Sequence, residues 1–198
     1  MASSPGTGRW EPNARERLVH AALELFAEQG YDATTVSQIA ERAGGLTKTT
    51  FFRHFPDKRE VLFAAGQEIH SRVLSDAIAA APQTATPLQA VAGALDALTA
   101  TFSDDRREFS ARLQAVVAAS AELRERAVAK HAALAGAMAE ALGKRGVPEP
   151  AAGLAAELGA RAFYQAFDQW ADPAGRRSLT DLTTQALDEL RAAIATLA

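Results

Sequence analysis

The sequence predicts an all-α protein in two parts, a small three-helix unit followed by a larger helical one. Apolar residues recur at three- and four-residue spacings along nearly the whole chain of 198 residues. No stretch of useful length alternates apolar and polar residues as a strand does, and no fixed-period repeat is present. Gly, Pro and capping residues cut the helical pattern into short pieces up to about residue 60 and into longer ones beyond it.

The first helix is expected over 14–29, with Leu18, Ala22, Leu25 and Phe26 on one face. Asn13 can cap its start, Glu16 follows three residues later, and Gly30 is placed to end it. "TVSQIAERAG" reads as a second, short helix. Thr35 and Gln38 form a capping-box pattern, Val36, Ile39, Ala40 and Ala43 face inward, and Gly44 stops it. In "RAGGLTKTTFFRHF", Thr47 can cap a third helix running to His54. Phe51 and Phe55, four apart, share its buried face, and Lys48, Thr49, Thr50 and Arg53 are left toward solvent. Pro56 ends that helix. Asp57 with Glu60 opens a fourth, expected over 58–80. "APQTATP" then reads as a linker, with Thr86 as cap and Pro87 as first helical residue. Further helices are expected at about 87–101, 104–119, 121–143, 149–170 and 179–197, broken around 104–107 and by "GKRGVPEP" and "ADPAGRRS".

Composition narrows the classes of function. The 48% hydrophobic and 23% charged residues are those of a soluble globular protein. No apolar run reaches the roughly 18 residues of a membrane span. "MASSPGTGRWEPNA" lacks the apolar core of a secretory signal, so residues 1–13 read as a flexible arm and the expected location is the cytoplasm. The absence of cysteine excludes disulfides, thiolate metal sites and Cys nucleophiles. The histidines at 20, 54, 70 and 131 have no metal-ligand spacing. No nucleophile elbow or phosphate-cradling glycine loop follows a strand. An enzyme therefore has no positive support, and neither cofactor nor metal is expected.

Charge is distributed unevenly. The net is −3, yet residues 41–60 hold Arg42, Lys48, Arg53, Lys58 and Arg59 against Glu41, Asp57 and Glu60. A small basic patch on an acidic body suits local phosphate contact. In the same stretch a helix, a sharp glycine turn and a short helix with exposed Thr and Lys make a helix-turn-helix packed on the preceding helix. A DNA-reading helix must be buried on one side and expose short donors and acceptors on the other. Thr hydroxyls and methyls and the Lys48 ammonium suit base edges, and the helix starts at Thr35, Thr47 and Asp57 suit phosphates.

"LFAEQGYDATTVSQIAERAG", followed by "TKTTFFRHFPDKREVLF", resembles the DNA-binding region of the TetR family of bacterial repressors over about residues 14–65. The resemblance implies a reader over 14–60 and a ligand-binding and dimerisation body over 61–198. It implies a homodimer on double-stranded operator DNA, nucleoid-associated when bound, that lets go when a small molecule binds. By position it places Lys48, Thr49, Thr50, Phe52, Arg53 and His54 on the recognition helix. It gives backbone contacts to Thr35 and Ser37 from the second helix and to Lys58 from the fourth. Two departures stand out. Phe52 occupies a place where the family usually has tyrosine, so only its ring contact carries over. The turn is one residue longer than usual; an extra glycine can loop out, whereas rotating the helix by roughly 100° would expose Phe51 and Phe55. For single residues other roles stay open. His54 could cap its helix, Arg53 could pair with Asp57, and Arg9 and Trp10 could reach a minor groove or touch nothing.

In "ELGARAFYQAFDQWAD", Phe163, Phe167 and Trp170 form one helical stripe, with Tyr164 and Asp168 on its neighbour. The stripe reads either as core or dimer face, or as a mostly apolar ligand pocket. The pocket reading takes Phe109, Arg112, His131, Arg161, Tyr164, Phe167, Asp168 and Trp170 as members, with Gln165 as a further polar candidate. The resemblance implies a homodimer through the last two helices, where Leu182, Ala186, Leu190 and Ala193 suit close packing. The expected function is a ligand-responsive transcriptional regulator, a repressor on a pseudo-palindromic operator. The alternative is a small-molecule binding protein whose DNA reader no longer works.

Overall fold

The computed structural model describes residues 13–197, so Arg9, Trp10 and the rest of the expected arm up to residue 12 lie outside the described residues. Its elements are α1 (Ala14–Gln29), α2 (Val36–Arg42), α3 (Lys48–His54), α4 (Glu60–Ala80), α5 (Pro87–Thr99), α6 (Arg107–Ala119), α7 (Ala121–Lys144), α8 (Ala151–Trp170) and α9 (Leu179–Ala195), with a 3₁₀ turn at Asp104–Arg106. The described residues contain no strand. The chain divides between Leu62 and Phe63 into two compact units.

In the first unit the caps form as the sequence predicts. The Asn13 side chain accepts the Glu16 N–H at 3.0 Å, and Gly30, at φ 87°, donates to the Phe26 carbonyl at 3.0 Å. Thr35 and Gln38 close a reciprocal capping box on α2. The core is made by Leu18, Ile39, Phe51 and Phe55, none more than 1% exposed. Helix α4 starts two residues later than expected. The Asp57 carboxylate accepts the N–H of Arg59 at 2.8 Å and of Glu60 at 3.1 Å. The first of these is an Asx turn, which uses residues 57–59 before the helix can begin. Burial pushes the Asp57 carboxyl up, but bonds from the Arg59 side chain and the two N–H groups outweigh it and hold it below its usual value.

The second unit packs Leu74 and Ile78 of α4, Leu95 and Leu98 of α5, Met138 and Leu142 of α7, and the alanine-rich inner face of α8. The α5–α8 approach is tight at Gly159, where an added Cβ would lie 2.4 Å from Val91 Cγ1. Two arginines in the expected breaks serve as caps. Arg145 donates to the carbonyls of Ile78, Ala81 and Pro82 at the end of α4. Arg107 donates to those of Trp170 and Arg177 after α8.

His70 of α4 is a half-buried titratable group against Phe102, with ring centroids 5.4 Å apart. Burial first, then the charges of Lys130 and Arg106, lower its pKa to about 4. The folded chain therefore binds fewer protons here than the unfolded chain between about pH 6.5 and 4. Stability is complete above that window and falls as the pH drops through it. Urea midpoints measured from pH 7 down to 4.5 are expected to fall less steeply for His70→Phe than for the parent chain.

Candidate nucleic-acid interface

The α2–α3 turn carries two consecutive left-handed residues, Gly44 at φ 95° and Gly45 at φ 71°. Only glycine takes that conformation without strain, which accounts for both. The turn closes through Gly45 N–H to the Glu41 carbonyl at 2.9 Å and Leu46 N–H to the Ala40 carbonyl at 2.8 Å. A Cβ on Gly44 would also lie 3.2 Å from Arg17 Nη1. The extra residue is absorbed in this loop, and α3 keeps Phe51 and Phe55 inward, their ring centroids 5.4 Å apart.

Thr47 caps α3, accepting the Thr50 N–H at 3.1 Å. The two hydroxyls lie 3.0 Å apart, so Thr50, half-buried, meets Thr47 while Lys48, Thr49, Phe52 and Arg53 face outward. Phe52 stands 46% exposed, its ring edge-on to Phe51 and 5.8 Å from the Lys48 ammonium. Thr35 and Ser37 are exposed on α2, although the Thr35 hydroxyl already donates to Gln38 Oε1 at 2.9 Å.

The accessible positive charge is narrower than the sequence suggests. Arg42 reaches back to Glu28 at 2.9 Å and Glu24 at 3.4 Å. Asp57 pairs with Arg59 at 3.1 Å rather than with Arg53. Lys48 and Arg53 make no ion pair among the described residues. Both stand on the outer face of α3.

Two of the expected phosphate contacts have atoms engaged or turned inward. Lys58 Nζ donates to the carbonyls of Tyr31 at 2.8 Å and Thr34 at 3.0 Å and lies 3.9 Å from the Tyr31 ring centroid. Its charge is spent holding the chain between α1 and α2. The His54 Nε2 atom is buried with no partner among the described residues, so this nitrogen faces inward. Nothing in the local sequence distinguishes an inward from an outward lysine two residues after a proline.

The expected ligand residues are not gathered round one cavity. Phe163 and Trp170 are buried in the core. With Phe167 they surround Phe102, whose ring centroid lies 5.8–6.0 Å from each of theirs. His131 is exposed and stacks on Tyr164 at 3.4 Å, and burial raises the pKa of the Tyr164 hydroxyl. Asp168 accepts from Gln114 Nε2 at 2.8 Å, burial raising its carboxyl. Arg112 and Arg161 point outward, while Phe109 and Gln165 are half-buried. Two hollows in this unit, of about 660 Å³ beside Ala81 and Gly93 and about 240 Å³ between α5 and α9, include none of these residues. Phe102, which the sequence reading left between two expected helices, packs among these rings. Likewise Leu182 and Ala186 of α9 are buried within this unit's own core, leaving Ala193 exposed. No cluster of three or more His, Asp or Glu side chains among the described residues could hold a metal. No helix among them is long and apolar enough to cross a membrane.

Comparison with known proteins finds relatives over part of the chain. Residues 18–65 match the model of bacterial regulatory proteins, tetR family. The HTH-type transcriptional regulator TcmR of Streptomyces glaucescens is 43% identical over 94 residues, which are 48% of this chain and 41% of that protein. BetI of Rhizobium meliloti (strain 1021), also an HTH-type transcriptional regulator, is 36% identical over 81 residues, 41% of this chain and 39% of that protein. The match thus spans about two-fifths of the length of these curated relatives. The fold extends further. The transcriptional regulator FadR of Bacillus subtilis, solved in complex with stearoyl-CoA, superimposes with a TM-score of 0.55 at 20% identity, covering 88% of this chain and 96% of that one. The match to the tetR-family model thus covers the helix-turn-helix region, residues 18–65, and a helical fold is shared with this solved regulator over most of the chain.

Proposed function

We propose that the protein is a homodimeric transcriptional repressor that reads a pseudo-palindromic operator and is released by a small molecule. The observation that carries the reading is the outer face of α3. Two cations without ion pairs, Lys48 and Arg53, stand there beside exposed Thr49 on a helix anchored by fully buried Phe51. Because the glycine turn absorbs its extra residue, the main motive for a non-functional reader is weakened. In a homodimer through α8 and α9, the outward apolar side chains Leu154, 59% exposed, and Ile194, 39% exposed, are the ones available for the interface. FadR, solved with stearoyl-CoA, supports a small-molecule role for the second unit. Its ligand chemistry is not carried over.

Selection from random duplex DNA with the purified chain at moderate salt tests this directly. An enriched inverted repeat with half-sites about 34–36 Å apart is expected; enrichment of a single half-site would overturn the dimer. Lys48→Ala should weaken binding to the enriched site by about 1–3 kcal/mol, as loss of a base contact does. Arg53→Ala should instead weaken binding to all sequences and reduce the salt slope by about one counterion per half-site. Titrations at three salt concentrations separate the two roles, and equal effects of both substitutions on unrelated DNA would contradict them.

A further inference from the structure

Helix α1 carries a cation that the chain itself leaves unmatched. It supplies Glu24 and Glu28 to Arg42, but nothing acidic to Arg17. The positions three and four residues from Arg17, where helical ion pairs form, hold Asn13, Ala14, His20 and Ala21. The Arg17 side chain makes no ion pair or hydrogen bond among the described residues. Its Nε is buried without a partner, a penalty that an apolar side chain of similar length would not carry. The residue as a whole is only half-buried. Of its three guanidinium nitrogens Nε alone is shut off, so the terminal pair forms the open end of the group.

The place of that end gives the charge a use. A Cβ on Gly44 would lie 3.2 Å from Arg17 Nη1 and 3.8 Å from Cζ, so the guanidinium rests against the first of the two left-handed glycines. From there the chain runs through Gly45, Leu46 and Thr47 straight into α3, whose first residue is Lys48. Gly44 thus serves a close approach as well as a left-handed backbone. In a helix-turn-helix the reading helix enters the groove. A cation held on α1, beside the leading end of that helix, is placed for the sugar-phosphate backbone and not for a base edge. The planar fork of a guanidinium matches two oxygens of one phosphate.

We infer that Arg17 is a backbone clamp, its Nη1 and Nη2 donating to one DNA phosphate in each half-site beside the groove that α3 reads. The inference rests on the DNA-reading function proposed above and adds to it a contact from outside the two helices of the reader motif.

The test titrates the full chain, Arg17→Met and Arg17→Lys with the enriched operator and with a scrambled duplex of the same length, at three salt concentrations. Methionine keeps an apolar stem on the turn and removes the charge; lysine keeps the charge without the fork. Arg17→Met should weaken binding to both duplexes by a similar factor, about tenfold or more, and reduce the salt slope by about one counterion per half-site. Its melting midpoint should stay or rise, because the unpaired Nε is gone. Arg17→Lys should keep the salt slope and lose less affinity. A side chain that only packs on the turn gives the opposite pattern: Arg17→Met lowers the melting midpoint or changes the enriched sequence and leaves the salt slope as it was, which would overturn the inference. Undiminished binding by Arg17→Met, on an operator that the parent chain reads, would overturn it with the reader intact. No salt-sensitive DNA binding by the parent chain would remove the reading function and this contact together.

Discussion

Deleting Gly45 is expected to abolish specific DNA binding, by about a hundredfold or more. The turn is closed by backbone bonds from Gly45 to Glu41 and from Leu46 to Ala40, across two residues at φ 95° and 71°. With one residue fewer, the chain must break one of these bonds or turn α3 by roughly 100°. Turning it would bring Phe51 and Phe55, 0% and 1% exposed, toward water and carry Lys48 and Arg53 away from the groove. Loss of the Lys48 base contact in both half-sites, at about 1–3 kcal/mol each, together with the phosphate contacts of Arg53, gives the stated size. Gly45→Ala separates backbone strain from lost register. Nothing lies within 4 Å of its added Cβ, so only the left-handed penalty of about 1–2 kcal/mol applies. This variant should bind the enriched site more weakly but with unchanged sequence preference. Binding curves on the enriched operator and on scrambled DNA, with circular dichroism to confirm helix content, decide the matter. Tighter binding after deletion would mean that the native turn misaims the helix.

Much of this reader was legible in the sequence because its signals are local. Asn13, Thr35 and Thr47 act within three residues of themselves, and the Phe51–Phe55 pair follows from helical spacing alone. The partners of the charges were not legible, because they come from distant positions. Arg42 meets Glu28 across 14 residues and Lys58 meets Tyr31 across 27. In the second unit the helices were readable, but the function of the ring stripe was not. Phe163, Phe167 and Trp170 have the spacing of either a core or a pocket, and their packing around Phe102, which comes from another element, is a contact that spacing cannot show.

Lys58→Met is expected to destabilise the first unit by about 2–4 kcal/mol, with DNA binding lost as a consequence of unfolding. The Lys58 ammonium makes two charge-assisted bonds, at 2.8 and 3.0 Å, each worth about 1.5–3 kcal/mol when the acceptor would otherwise be stranded. It also sits over the ring of Tyr31, which is 6% exposed and packs edge-on against Phe26 at 5.1 Å. Since Lys58 is only half-buried, water can replace part of this, and the lower end of the sum is the better guide. Methionine retains the stem that covers Tyr31, so the change isolates the charge and its donors. Hydrogen exchange at the Ile39 and Phe51 amides should accelerate about thirtyfold or more, in line with about 2 kcal/mol. Operator binding should recover when an excluded osmolyte such as TMAO restores the fold. A phosphate-binding Lys58 would behave differently: exchange at Ile39 and Phe51 would be unchanged, the salt slope would fall by about one per half-site, and TMAO would recover nothing.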